Sequence, residues 1–293
     1  MKLRCTLLWS TVSLLGITSA HADTLAKIAE RGHITLGYRE SSVPFSYLDQ
    51  GKPIGMMVEV SKAVAEAAKK ALNRPDLKVQ WQAVTSQNRI PLLTNGTIDL
   101  ECGSTTNNTT RAKQVDFAIN HFYTGTRLLV KKGSGIHNYS DLKGKPVAVT
   151  SGTTNLQVLR RANAEKQWGL ELVTPKDHAD AFLLVESGRA AAFGMDDILL
   201  YGLIANAKNP ADFEVTGDAL QVEPYACMLR KDDPKFKQLV NDTIGGMMQS
   251  GTFAQLYDQW FMQPIPPTHA VLGLPMSEAL KHNLTERSDQ PAF

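Results

Sequence analysis

Apolar positions along this chain switch between two periods. HITLGYR, starting at His33, has the run of a short strand, and Val60, Val64, Ala68 and Leu72 then recur at helical spacing. KVQWQAV from Lys78 reads as a second strand, Arg89 opens a helical run through Ile90, Leu92 and Leu93, and Ile98 to Cys102 reads as a buried strand entering Ser104, Thr105 and Thr106. After an extended segment, Tyr123 to Lys132, a second series begins. It runs through KPVAVTS, a helix from Thr154 to Asn163, LELVT, a helix from Asp177 to Ser187, and AAAFGMD ending at Asp196. The extended YACMLRK follows, then helices near Pro234 to Gln249 and Phe253 to Phe261. Strands alternating with helices predict an α/β fold with mostly parallel sheet, in two successive units and without a strict repeat. Gly and Pro punctuate the units, and the tail after Pro264 is polar and Pro-bearing, a wrap or a loose end.

The N-terminus changes the picture of where the chain works. Lys2 and Arg4 precede an apolar core from Leu7 to Ile17 and then Ala20, His21 and Ala22, the charge, hydrophobe and small-residue order of a cleaved secretory signal. Asp23 is the expected mature start, and no later stretch approaches the length of a membrane span. Removing those 22 of the 293 residues leaves 271, more than one ordinary core, so two domains are expected. It also brings the 31 basic residues to 29 against 29 acidic ones, a neutral balance that argues against nucleic acid or an anionic membrane as partner. Cys5 leaves with the signal. Cys102 and Cys227 remain in an oxidising compartment, either as one disulfide or as two buried thiols.

The stretch SQNRIPLLTNGTIDLECGSTTNN, Ser86 to Asn108, places an arginine and hydroxyl clusters at the ends of predicted elements, the donors that a desolvated carboxylate needs. No GxSxG elbow, HExxH pair or phosphate-binding GxxxxGK[ST] occurs, so catalytic motifs are lacking. His33, His121, His137, His269 and His282 lack metal spacing, and no metal or cofactor is expected. Arg111, Lys113, Arg127, Lys131 and Lys132 are expected to form a solvated face.

YRESSVPFSYLD, the Ser86 to Asn108 block, TSGTTN, KDHADAF, ESGRAAAFGMDD and YACMLRKDDP, in this order and spacing, resemble the periplasmic glutamate/aspartate-binding proteins of ABC importers, within the polar-amino-acid solute-binding family. The resemblance covers essentially the whole mature chain. It implies the two-lobed periplasmic-binding-protein fold of type II, an α/β architecture with the ligand cleft between lobes joined by two crossing strands, here near Tyr123 to Arg127 and Val222 to Ala226. Lobe 1 would then comprise 23–124 and 226–270, lobe 2 125–225, and 271–293 the tail. In that topology the strands of Cys102 and Cys227 become neighbours, which favours the disulfide.

The resemblance also implies a ligand set. Arg89 matches the arginine that grips an α-carboxylate, completed by Thr106 and by the Ser151 to Thr154 loop with Thr153 and Thr154. Asp196 matches the carboxylate for the α-ammonium, with Asp197 as the rival one position on, and Ser104 accepts a second bond. Arg39, Ser86 and His178 match positions that hold an acidic side chain, and His178, as a group titrating near neutrality, would donate and make affinity pH-sensitive. The implied function is non-enzymatic: the exported, periplasmic protein binds L-glutamate or L-aspartate, closes by a hinge, and delivers the ligand as a monomer to an ABC permease in the inner membrane. A sensor that docks on a membrane receptor, or a rare enzymatic member of the fold, are the alternatives.

Overall fold

The computed structural model describes residues 23–292, so the leader expected at 1–22 lies outside the described residues. In chain order the elements are α1 (Thr24–Arg31), β1 (His33–Tyr38), a small antiparallel sheet of β2 (Ser41–Ser42), β3 (Ser46–Asp49) and β4 (Lys52–Ile54), α2 (Met56–Ala71), β5 (Lys78–Ala83), α3 (Arg89–Thr94), β6 (Leu100–Glu101) and β7 (Val115–Lys131). Then follow β8 (Pro146–Ala148), α4 (Thr154–Lys166), β9 (Glu171–Val173), α5 (His178–Glu186), β10 (Ala192–Asp196), α6 (Asp197–Ala205), β11 (Phe213–Thr216), β12 (Val222–Arg230), α7 (Pro234–Ser250), α8 (Thr252–Tyr257) and α9 (Glu278–Glu286).

Local chemistry accounts for the helix ends. Asp23 caps α1 by accepting from the Ala26 amide, Thr153 caps α4 at Leu156, and Asp233 caps α7 at Phe236 with Pro234 at the first helical position. In α2 the buried stripe of Met57, Val60, Val64, Ala65 and Ala68 follows the helical period and packs on the first lobe's sheet.

The main sheet runs β5-β1-β6-β12-β7-β10-β8-β9, with β11 also on β7. Pairing is parallel within β5-β1-β6 and within β10-β8-β9, and antiparallel wherever β7 or β12 takes part. The 17-residue β7 pairs with β12 from Val115 to Gly125 and with β10 from Thr126 to Val130. One strand therefore belongs to both lobes. β1 is buried on both faces through Ile34, Thr35, Leu36 and Gly37, as a strand covered by helices must be.

Several elements carry no strong signal of their own. α1, the β2-β3-β4 sheet, α6, β11 and α9 were not anticipated from periodicity, being short or, in α6 (DILLYGLIA), apolar almost all round. The tail is a wrap. Ser277 caps α9 at Leu280, Asn283 donates to the Asn120 carbonyl at 2.7 Å, and Asn107 and Asn120 donate to the Asp289 and Gln290 carbonyls at 2.8 and 2.9 Å. Cys102, next to β6, and Cys227 on β12 are joined as a disulfide with Cα atoms 4.2 Å apart, closing a loop across 125 residues of sequence. No helix among the described residues is long and apolar enough to cross a membrane.

Candidate functional site

The lobes meet where β1, β6 and α3 of the first face α4, α5 and β10 of the second. Arg39 leaves the end of β1, fully buried, and donates through Nη2 to His178 Nε2 at 3.2 Å and through Nη1 to Ser104 Oγ at 3.5 Å. Asp177, its ion-pair partner among the described residues, stands 3.6 Å from Nη2. Arg89, the first residue of α3 and 2% exposed, donates through Nη1 to Thr105 Oγ1 at 2.6 Å and the Ser104 carbonyl at 3.3 Å. Among the described residues it has no ion-pair partner, and its Nε, like Arg39 Nε and Ser86 Oγ, is buried without a hydrogen-bond acceptor. Burial, and after it the nearby Arg111 guanidinium, pushes the Arg89 pKa down to about 9. A cation held at that cost is poised for an anion.

The opposite wall is made of acceptors. Asp196 ends β10, 2% exposed, and accepts from Asn155 Nδ2 at 2.7 Å and from the Tyr225 hydroxyl. Burial, reinforced by the Glu223 carboxylate, raises its pKa well above the ordinary range, so an ammonium there would relieve it. Asp197, the rival by sequence register, instead accepts from Thr124 Oγ1 at 2.6 Å and from the Ile198 amide at 2.7 Å, and is only half-buried. Asp196 is the last residue of β10 and Asp197 the first of α6, and the change from strand to helix sends the two carboxylates to different partners.

The hydroxyls divide by task. Ser104 Oγ donates to Ser42 Oγ at 3.0 Å while facing Arg39. Thr153 Oγ1 donates to the Thr150 carbonyl at 2.7 Å and caps α4, so its hydroxyl proton is already in use. Thr106 Oγ1 and Thr154 Oγ1 lie 3.1 Å apart across the lobe boundary, and both bond Glu223 Oε2.

Two expectations are corrected. Arg111 is not on a solvated face: it is buried, donating to the Thr106 carbonyl at 2.9 Å and toward the Gly152 carbonyl at 3.4 Å. His178 does not titrate near neutrality. A guanidinium can only donate, so His178 Nε2 accepts and Nδ1 carries the proton toward Thr150 Oγ1 at 2.8 Å. Burial and then the Arg39 charge push its pKa down to about 3.

Sequence reasoning missed Glu101 and Glu223 as well. Glu101 takes the Thr105 hydroxyl that in turn accepts from Arg89, and Glu223 stands on β12 far away in sequence. Glu101 lies inside the Ser86 to Asn108 block but was read there as part of a buried strand, and Glu223 has no local motif; their complete burial marks both. Among the described residues, no group of three or more His, Cys, Asp or Glu is arranged to hold a metal ion.

The lobes touch closely at two glycines. A Cβ on Gly152, at φ +76°, would stand 2.6 Å from Gln87 Cα, and one on Gly202 would strike the Val43 backbone. A two-lobed α/β body, a buried polar cleft between the lobes and a strand running through both are the features of a ligand-closing binding protein. The sequence profile of the bacterial extracellular solute-binding proteins, family 3, matches residues 34–263. The chain belongs to this family.

Family 3 relatives sharpen the comparison. The chain is 51% identical over 271 residues to the L-glutamate/L-aspartate-binding protein of Pseudomonas aeruginosa, covering 92% of this chain and 90% of that one. It is 50% identical over 272 residues to the glutamate/aspartate import solute-binding protein of Escherichia coli, with 92% and 90% covered. Among solved structures, the ancestral amino acid-binding protein AncCDT-1, a precursor of cyclohexadienyl dehydratase, superposes with a TM-score of 0.69 at 32% identity, covering 81% of this chain and 99% of that one. The P235GK mutant of the T. maritima ArgBP superposes with a TM-score of 0.72 at 28% identity, covering 82% and 100%.

Proposed function

We propose that this chain is the substrate-binding subunit of an amino-acid ABC importer, closing its lobes on L-glutamate or L-aspartate and presenting the closed form to a membrane permease. The observation that carries this is the pair of buried guanidiniums, Arg89 without an ion-pair partner among the described residues and Arg39 with Asp177 at 3.6 Å, opposite the buried, cation-seeking Asp196. An acidic amino acid brings two carboxylates and one ammonium, and each ion must find a partner once water is excluded. Arg89, with the amides around Thr106 and Thr154, takes the α-carboxylate; Asp196 and Ser104 take the ammonium; Arg39 and Ser86 take the side-chain carboxylate. His178 serves by holding Arg39 in place. Thr153 contributes through the cap that orders the loop. The names of the close relatives support the ligand class and the import role.

Lobe 1 in this proposal is 23–124 with 226–270, lobe 2 is 125–225, and the hinge lies in β7 and β12. The leader at 1–22 sends the protein to the periplasm, where it works as a monomer and does no chemistry on its ligand. Ligand contacts shared by both lobes supply the preference for the closed state that closure requires.

The test is thermal unfolding of the chain from Asp23 onward against a panel of L-amino acids at about 1 mM. A ligand with a micromolar dissociation constant adds about 4 kcal/mol, a shift of roughly 10 °C. The expected result is a much larger shift with glutamate and aspartate than with neutral or basic amino acids. No shift with either acidic ligand overturns the assignment.

A further inference from the structure

Two charged residues outside the ligand set, Arg111 and Glu223, are buried against it from behind. Both converge on Thr106: Arg111 Nη1 donates to its carbonyl at 2.9 Å, and Glu223 Oε2 accepts its hydroxyl. Arg111 Nη2 reaches toward the Gly152 carbonyl of the second lobe at 3.4 Å, and Glu223, on the second-lobe end of β12, takes the Thr106 hydroxyl from the first lobe and the Thr154 hydroxyl from its own. Glu223 is itself steadied by Gln221 Nε2, which donates to Oε1 at 2.9 Å. The four groups Arg111, Thr106, Glu223 and Thr154 thus form one polar knot that exists only while the lobes are together.

A threonine hydroxyl has a single proton. Thr106 and Thr154 both give theirs to Glu223, so neither has a hydroxyl proton left for a ligand carboxylate. Their backbone amides remain. At the isolated bridge between Thr106 and Tyr225 the ladder bonds run from Asn107 N to the Pro224 carbonyl and from Ala226 N to the Thr105 carbonyl, which leaves the Thr106 amide outside the ladder. Thr154 is the first residue of α4, where an amide has no intrahelical acceptor.

We propose that Arg111 and Glu223 are positioning residues: a clasp that turns the Thr106 and Thr154 hydroxyls away from the ligand, aims their amides at its α-carboxylate, and ties the lobes shut from the hinge strand. The ligand half of this rests on the amino-acid assignment made above; the clasp between lobes does not. The clasp couples a cation to an anion, so it adds no net charge to a site already holding several buried ions. Burial pushes the Arg111 pKa down, and Glu223 is the largest influence opposing that shift.

The experiment uses the chain from Asp23 onward and compares wild type with Glu223→Gln, Thr154→Val and Thr154→Ser. Calorimetric titrations measure dissociation constants for L-glutamate, L-aspartate and L-glutamine, and small-angle scattering measures lobe closure with and without ligand. Glu223→Gln and Thr154→Val are expected to weaken all three ligands by the same factor, about 10-fold for one charge-assisted hydrogen bond. Both should also enlarge the ligand-free radius of gyration, and Thr154→Ser, which keeps the hydroxyl, should restore both quantities. A loss confined to the acidic ligands, unchanged dissociation constants, or a lowered melting temperature with unchanged affinity and closure would overturn the clasp. If wild type binds none of the three, the amino-acid assignment fails by itself. The ligand-free comparison of wild type with Glu223→Gln then decides the clasp, and equal radii would overturn it.

Discussion

Two arginine clusters in the same lobe differ in one respect. Around Asp99, Arg31 Nη2 reaches both carboxylate oxygens at 2.8 Å, Arg230 Nη2 reaches Oδ1 at 2.8 Å, and the Thr35 amide donates to Oδ2 at 2.9 Å. Around the cleft, Arg39 has only Asp177 at 3.6 Å, and Arg89 has no ion-pair partner among the described residues. An unpaired Nε occurs in both clusters, at Arg230 as well as at Arg39 and Arg89. The difference is therefore the anion. The Asp99 cluster holds its carboxylate in direct contact and joins β1, β6 and β12 into one body, whereas in the cleft Arg39 meets Asp177 at 3.6 Å and Arg89 meets Glu101 through the Thr105 hydroxyl.

Exchanging the two kinds of arginine for methionine breaks this comparison most sharply. Arg89→Met should abolish binding of every amino-acid ligand, as read by calorimetry, while leaving ligand-free stability within about 1 kcal/mol, because a poorly compensated buried cation contributes little to folding. Arg230→Met should do the reverse. It leaves Asp99 short of one partner and should cost about 3 kcal/mol in denaturant unfolding, with dissociation constants unchanged in the folded protein. Similar stability losses for both would erase the distinction between a structural and a ligand-directed arginine.

Arg39→Ala gives a smaller, selective effect. It removes the guanidinium assigned to the side-chain carboxylate, so glutamate and aspartate should lose about 10- to 100-fold in affinity and glutamine distinctly less. An equal loss for all three would move Arg39 into the group that reads the shared α-carbon substituents.

The smallest effect is a dependence on pH. Burial holds His121 down to about 4 and His178 down to about 3, both below the ordinary imidazole value of 6.5. The unfolded chain therefore binds protons that the folded chain refuses as pH falls below about 6.5, so this contribution to stability is complete above that value and is lost progressively down to about pH 4 for His121 and about pH 3 for His178. Melting temperatures of the ligand-free protein should fall over that window, less steeply in His121→Phe. Affinity for glutamate should be flat between about pH 6 and 8, since His178 stays neutral there. A rise in affinity on protonation near pH 6.5 would return His178 to the role of a charged donor.

Much of the frame was legible in the chain. The strand at HITLGYR, the α2 stripe, the Arg89 helix start and the strand ending at Asp196 all follow from local periodicity and capping, which depend on neighbours within a few residues. α9 and α6 escaped for opposite reasons. α9 has a mostly polar sequence and is held by Asn120 and its capping Ser277, while α6 is too uniformly apolar to show a period. In the cleft, residue types were legible where a motif surrounded them, as at Arg89 and Asp196. Arg111 resembled any surface arginine until the second lobe covered it.

The order of elements, the assignment to two α/β units and the set of residue types able to hold a small zwitterion were determined by the sequence by itself, because they depend on short-range pattern and on side-chain chemistry. The tertiary structure alone decided which charges lost their water and which partner each then found. Glu223 meets Thr106 across 117 positions and Thr154 across 69, His178 becomes an acceptor because Arg39 arrives from 139 positions away, and Cys102 bonds Cys227 across 125. Desolvation and proton placement are properties of the surrounding shell, and that shell exists only once the two lobes have closed on each other.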